Sequence, residues 1–166
     1  MPIQLRPATT ADVDAVVAVF LACWRESYRG VLPDSTIDAM SDEKAQQLWE
    51  RVMGSGEGEV LVAESAGTVL GVTRLAANGA EGVVHSLYVA PDSQGQGLGQ
   101  LLLSAAASRL ADLGARNASL WVFAANAPSL AFYRRHGWEP DGTQRTQEQF
   151  GELELRVVRR LAGASE

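Results

Sequence analysis

Apolar residues recur along this chain with two different periods, and their alternation sketches the fold. Ile3 and Leu5 alternate with polar neighbours in PIQLRPA, the two-residue period of a half-buried strand. After Thr9 and Thr10, either of which can cap a helix, Val13, Val16, Val17, Phe20, Trp24 and Tyr28 fall at three- and four-residue steps. They form one apolar stripe that ends near Gly30. VLPDS breaks the pattern before Ser41, which with Asp42 and Glu43 predicts a capped helix running through Leu48, Trp49 and Val52 to the glycine-rich GSGEG. The period then returns to two. EVLVAES, a turn at Ala66 and Gly67, and TVLGVTRLA read as a hairpin, and Asn78-Gly79 predicts a second turn into VVHSLYVA, so three antiparallel strands follow one another.

From Gly97 to Leu113 helical spacing returns through Leu98, Leu101, Leu102, Ala105 and Leu110, with Gly114 placed to end the helix. ASLWVFA is the next strand. NAPSLAFYRRHG then predicts a helix with Asn126 as cap, Pro128 in its first turn and Gly137 just past its end. A closing pair of strands lies in GWEPDG and GELELRVVRRL. This order is α+β, with a mixed but mostly antiparallel central sheet; the crossover through the Gly97 helix should make its two flanking strands parallel.

Composition narrows the partners. At 166 residues and 46% hydrophobic, with no repeat, long linker or low-complexity tract, residues 1–166 read as one domain with a substantial core. Fourteen basic against twenty acidic residues leave a net charge of −6. That argues against nucleic acid or an anionic membrane as partner and favours, weakly, a cationic acceptor. Cys23 is the sole cysteine, which excludes an intrachain disulfide or a cysteine-based zinc site; it reads as a buried thiol, and no metal is expected. MPIQLRPATT lacks the features of a secretory leader and no window approaches eighteen consecutive apolar residues, so a cytoplasmic location is expected.

The chemistry concentrates in LYVAPDSQGQGLGQLLLSAA, residues 87–106, where Gly95, Gly97 and Gly99 sit between a strand and a helix. Glycines in that setting let a backbone approach an anion closely. A P-loop would need Gly-Lys-Ser/Thr, but Gln100 and Leu101 follow Gly99; a dinucleotide fingerprint needs a different glycine spacing and a following acid. What remains is Gln94-x-x-Gly97-x-Gly99 with no lysine or arginine between Leu75 and Ser108, so main-chain amides and the helix dipole must hold any anion.

These residues resemble the Gln/Arg-x-x-Gly-x-Gly/Ala signature of the GNAT superfamily of N-acetyltransferases. LYVAP before it, and NAPSLAFYRRHGW about thirty residues on, are similar to the superfamily's neighbouring segments, with Trp138 in the last aromatic place. The resemblance implies a sheet of about seven strands flanked by about four helices, with its two central parallel strands splayed apart. It also implies acetyl-coenzyme A as donor, and no metal. The loop Gln94, Gly95, Gln96, Gly97, Leu98, Gly99 and Gln100 would hold the pyrophosphate on main-chain amides. Backbone groups of Leu87, Tyr88 and Val89 would meet the pantetheine, with Asn126 and Ser129 nearby, although Asn126 also reads as a plain helix cap.

Acetyl transfer needs a neutral amine, a donor to the tetrahedral oxyanion and a proton for the departing thiolate. Tyr133 matches the family tyrosine that serves the sulfur, and doubles as a helix-face aromatic. His85 is the candidate base, since alternation puts it on the strand face of Leu87 and Val89; where many relatives carry Glu this chain has Val83, so Glu81 or a water chain stays open. Trp24 and Tyr28 occupy the segment that walls the acceptor site in the family, with core packing as the other reading. Arg134 and Arg135 could meet the 3′-phosphate or be solvated. The function implied is transfer of acetyl from acetyl-coenzyme A to a primary amine; a non-catalytic acyl-coenzyme A sensor is the alternative. The acceptor, whether small amine, aminoglycoside, amino acid or protein N-terminus, stays open, as does oligomeric state, a homodimer included.

Overall fold

The computed structural model describes residues 2–148 and 150–161. Its helices are α1 (Val13–Ala22), α2 (Asp34–Asp38), α3 (Asp42–Ser55), α4 (Leu98–Asp112) and α5 (Ala127–Arg135). Its strands are β1 (Gln4–Pro7), β2 (Glu59–Ser65), β3 (Thr68–Asn78), β4 (Glu81–Val89), β5 (Asn117–Phe123), β6 (Glu139–Gln147) and β7 (Glu152–Arg160). The short α2, in the VLPDS break, adds to the four helices expected, and β6 runs well past GWEPDG. All seven strands form one sheet in the order β1-β2-β3-β4-β5-β7-β6. Only β4 and β5 are parallel, as the crossover through α4 requires.

Helices cover both faces. Val16 and Phe20 of α1 and Trp49 of α3 bury themselves against Val62 and Val72 of the sheet. On the opposite face Leu103 and Leu110 of α4 and Tyr133 of α5 pack with Leu120, Trp138 and Val157. Two strand glycines let α4 lie close: a Cβ at Gly71 would stand 2.7 Å from Leu102 Cδ1, and one at Gly82 2.9 Å from Leu110 Cδ2.

The first helical stripe predicted from Val13 to Tyr28 is interrupted. A 3-10 turn at Thr10–Asp12 leads into α1, and Cys23–Ser27 widen into a π-helical turn. That extra residue per turn is a common device for re-aiming side chains beside a site. The chain's entry to α1 is fixed by Asp12, whose carboxylate accepts from the Thr9 N–H at 2.7 Å and from both Arg6 amino groups at 2.8 Å. Arg6 in turn reaches Glu64 on β2, tying the start of α1 to the sheet edge.

The Arg6 guanidinium, opposed in part by burial, lowers the Asp12 carboxyl to about 2. Because the folded value lies below the unfolded one, the stabilisation is complete above about pH 4 and is lost as pH falls toward 2. Asp12→Asn should therefore cost ~1 kcal/mol at pH 7, the size of a lost cap. In denaturant titrations the gap between the two proteins should close below pH 3; a gap independent of pH would assign the effect to packing.

Candidate active site

Beyond Val83 the two central strands part. The parallel ladder joins only Glu81, Gly82 and Val83 to Asn117, Ala118 and Ser119, after which β4 stays with β3 and β5 with β7. A cleft of about 820 Å³ occupies the opening. At one end lies the loop into α4, where Pro91–Ser93 make a 3-10 turn and Gly95 and Gly97 take φ of 80° and 82°, the left-handed region open mainly to glycine. A Cβ at either would meet nothing within 4 Å, so that space is free for a ligand. The first N–H groups of α4 open onto it without intrahelical partners.

Gly99 is different. It lines the cleft too, but a Cβ there would come within 3.2 Å of the Phe132 ring of α5, so its bareness also serves helix packing. Leu98 is likewise a core residue, buried against Ala63, Val89 and Leu102, and Gln96 is exposed and outside the cleft lining. Gln94 acts as a clamp: its side-chain amide donates to Val89 O at 3.2 Å and to Ser27 Oγ at 3.1 Å, fastening the loop to the π-helical turn. The Val89 carbonyl, expected to be unpaired, also accepts from Cys23 Sγ at 3.0 Å. Ser86 O is taken by the buried Thr73 hydroxyl at 2.9 Å. The inner-edge backbone left for a ligand is therefore that of Leu87, since Tyr88 pairs with Val72 in the β3 ladder.

On the α5 side, Asn126 Oδ1 accepts from Ser129 N at 3.3 Å, the predicted cap, and both residues line the cleft. Tyr133 is buried with its ring 5.4 Å from that of Phe132, also lines the cleft, and burial raises its pKa well above 10, which keeps the phenol protonated. On the α1 side, Trp24 and Tyr28 stack edge to face at 5.3 Å, and Phe150, from the turn between β6 and β7, packs on Trp24 at 5.0 Å. Burial pushes the Tyr88 phenol up to about 12 and raises that of Tyr28 well above 10. Both predicted acceptor residues thus line the cleft, although Trp24 is also core.

His85 reaches the cleft by a route that alternation misses. Arg74 pairs with Ser86 and Leu75 with Val84, leaving His85 as the extra residue of a β-bulge. Val84, Leu87 and Val89 all pack toward α4, so the bulge shifts the phase of the strand, and His85 does not follow Leu87 and Val89 as strict alternation requires. It is exposed in the cleft, where partial burial, then Arg74 and Arg145, lower its pKa. Glu81, the other base considered, stands at the closed end of the ladder, accepting from Asn117 Nδ2 at 3.3 Å, and is no part of the cleft. Arg135 lines the cleft, whereas Arg134 faces Glu139 at 4.0 Å.

Among the lining residues that escaped the sequence reading are Trp121, Arg145, Phe150 and Glu154. Glu154 is only 7% exposed, accepts from Arg145 Nε at 2.8 Å, and lies on the polar face of GELELRVV, a face that reads as solvated. The Arg145 guanidinium stands 4.2 Å above the Trp121 ring. The signal was the polar alternation itself; what it could not show is that Arg145 and Trp121 pack there and bury Glu154.

The chain matches the Acetyltransferase (GNAT) family over residues 18–138 and belongs to it. A probable N-acetyltransferase of Mycobacterium tuberculosis is 28% identical over 145 residues, 84% of this chain and 82% of that protein. The L-methionine sulfoximine/L-methionine sulfone acetyltransferase of Pseudomonas aeruginosa is 29% identical over 154 residues, covering 86% and 83%. Among solved structures, the PaiA N-acetyltransferase of Thermoplasma acidophilum in complex with coenzyme A superposes with a TM-score of 0.79 at 20% identity, over 96% of this chain and 99% of that one, and shares the fold. The protein is thus an acyltransferase of this family. No described helix is long and apolar enough to cross a membrane.

Cys23 borders the cleft as a buried thiol that donates to Val89 O, and burial raises its pKa to about 12. Iodoacetamide at pH 8 should alkylate it at least ~10²-fold more slowly than free glutathione, since the thiolate reacts and here is scarce. Mass spectrometry over time checks this, and labelling at the glutathione rate would show an open, activated thiol.

Proposed function

We propose that the protein transfers an acetyl group from acetyl-coenzyme A to a primary amine of a small molecule by direct attack, with no covalent enzyme intermediate. The observation that carries this reading is the parting of β4 from β5 after Val83 and Ser119, which leaves main-chain groups, the bare glycine loop and Tyr133 facing one cleft. The residues present fit coenzyme A: Gly95 and Gly97 leave an open cradle at the start of α4, and the backbone of Leu87, facing away from β3, can pair with the amides of an extended ligand. When bound, acetyl-coenzyme A supplies an activated thioester. A small acceptor is supported by the aromatic wall of Trp24, Tyr28 and Phe150, and by the relative named for L-methionine sulfoximine and sulfone.

The chain's own groups divide the work. His85, its pKa held below 6.5, is neutral at pH 7 and accepts the amine proton through Nδ1 or Nε2. The N–H groups of β4 near Leu87 serve the oxyanion. The protonated Tyr133 hydroxyl gives its proton to the leaving sulfur, and Trp24, Tyr28 and Phe150 exclude water from the acceptor side.

The test is release of free thiol from acetyl-coenzyme A with a panel of amines, with mass spectrometry of the N-acetylated product. Tyr133→Phe should lower kcat by about 10²-fold, the low end for a positioned acid because a thiolate leaves well, with the cofactor Kd nearly unchanged. Full turnover in that variant removes Tyr133 from the chemistry.

The pH profile isolates His85. In the wild type kcat/KM should fall as pH drops through a value below 6.5, where the imidazole gains its proton. His85→Gln should lose that acidic limb and about 10²-fold in rate near pH 7, converging on the wild type at alkaline pH. Superimposable profiles would make His85 structural.

A further inference from the structure

Although the chain carries a net charge of −6, two arginines flank His85 on the α1 side of the sheet, Arg145 in the cleft lining and Arg74 just behind it, and both charges act on the imidazole. Arg74 sits mid-strand on β3, opposite Ser86, and shares a face with Val72, which packs beneath α1. It is half-buried, its Nε is buried with no hydrogen-bond partner, and among the described residues no carboxylate lies within ion-pair distance of it. Arginine cannot shed its charge, so an uncompensated guanidinium beneath the surface of a central strand is a standing cost. The neighbouring arginines contrast with it: Arg156 is bound to Asp141, and Arg145 to Glu154.

A second guanidinium completes the corner. Two residues past the last parallel pair stand His85 on β4 and Trp121 on β5, and Arg145 lies over the Trp121 ring, with Glu154 engaging its Nε. The charges present are therefore Arg74 and Arg145 positive, Glu154 negative and His85 neutral, one positive charge in excess. A planar monoanion fits that excess and the donor forks of the two arginines. The pyrophosphate loop does not supply the anion, because it begins beyond Val89, roughly 13 Å along β4 from His85 at the usual rise per residue.

We propose that the acceptor is an amine that carries a carboxylate close to its nitrogen, a free amino acid, and that Arg74 and Arg145 hold this carboxylate on either side of His85. The proposal rests on the acetyl-transfer reading and adds to it both a substrate class and the residues that select it. Arg74 and Arg145 are specificity residues; His85, between them, would meet the amine because carboxylate and amine are joined through one carbon.

The experiment measures kcat/KM for a panel of L-amino acids and for the corresponding amino-acid amides, in the wild type, Arg74→Gln and Arg74→Lys. The amide carries the less basic amine and so presents more of the neutral nucleophile, which biases the comparison against the proposal. The expected result is a preference for the acid of at least ~10²-fold in the wild type. Arg74→Gln should erase most of it, chiefly through KM and with little change for the amides, and Arg74→Lys should restore part. Calorimetry of N-acetyl amino acids against their amides, with coenzyme A present, should show the same preference and the same loss in Arg74→Gln, independently of turnover. Should Arg74→Gln fail to fold, the wild-type ratio and the calorimetry decide. Equal rates for acids and amides overturn the proposal and leave acetyl transfer standing. A folded protein that binds acetyl-coenzyme A but acetylates no amine overturns both.

Discussion

The site depends on a constraint of backbone geometry: two parallel strands that hydrogen-bond over three residue pairs and then separate inside a continuous sheet. Each remains paired on its outer side, β4 with β3 on both sides of the bulge at His85 and β5 with β7, so the separation does not unravel either one. What it creates is a pair of inner edges whose main-chain groups must find other partners. The bulge at His85 falls just where pairing ends, and a bulge bends its strand and sharpens its twist. The opening, the exposure of His85 and the change of face along β4 follow from that single irregularity.

Side chains from distant segments hold the opening in shape. Thr73 fastens Ser86 O on the β3 side, while Cys23 and Gln94 occupy Val89 O on the inner edge of β4. Gln94 also reaches Ser27, which couples the glycine loop to the π-helical turn and so sets the loop against the aromatic wall of Trp24 and Tyr28. The aromatic chain Phe20, Trp24, Tyr28 and Phe123 continues that wall to the edge of β5 with ring spacings of 5.3 to 5.9 Å. Burial raises the pKa values of Tyr28, Tyr88, Tyr133 and Cys23 together, so this part of the cleft is uncharged, and the charged groups gather at its far corner around Arg145 and Glu154.

Much of this was legible beforehand, and the particular residues show why. The meander of β2, β3 and β4, the helix caps at Ser41 and Asn126 and the parallel crossover through α4 all rest on local period, turn chemistry and chain handedness, which are properties of short segments. The glycine loop was legible because Gly95 and Gly97 need a backbone conformation that other residues avoid. Gly99 shows the limit: identical in sequence terms to its neighbours, it faces Phe132 from a helix thirty residues away.

By itself, then, the sequence determined the order and type of the elements and the glycine-rich helix start, since each follows from side-chain type and near-neighbour spacing, and it singled out Tyr133 and His85, both of which line the cleft. Tertiary structure alone decided that His85 is a bulge residue rather than a member of the Leu87 face, that Glu81 lies outside the cleft, and that Val89 O is occupied. It alone brought Arg74, Arg145, Trp121 and Glu154, from four strands, to one corner. The physical reason is that strand pairing and register are set by contacts between residues far apart in the chain, and one extra residue in a strand reverses which side chains face inward without leaving a mark on the pattern of residues around it.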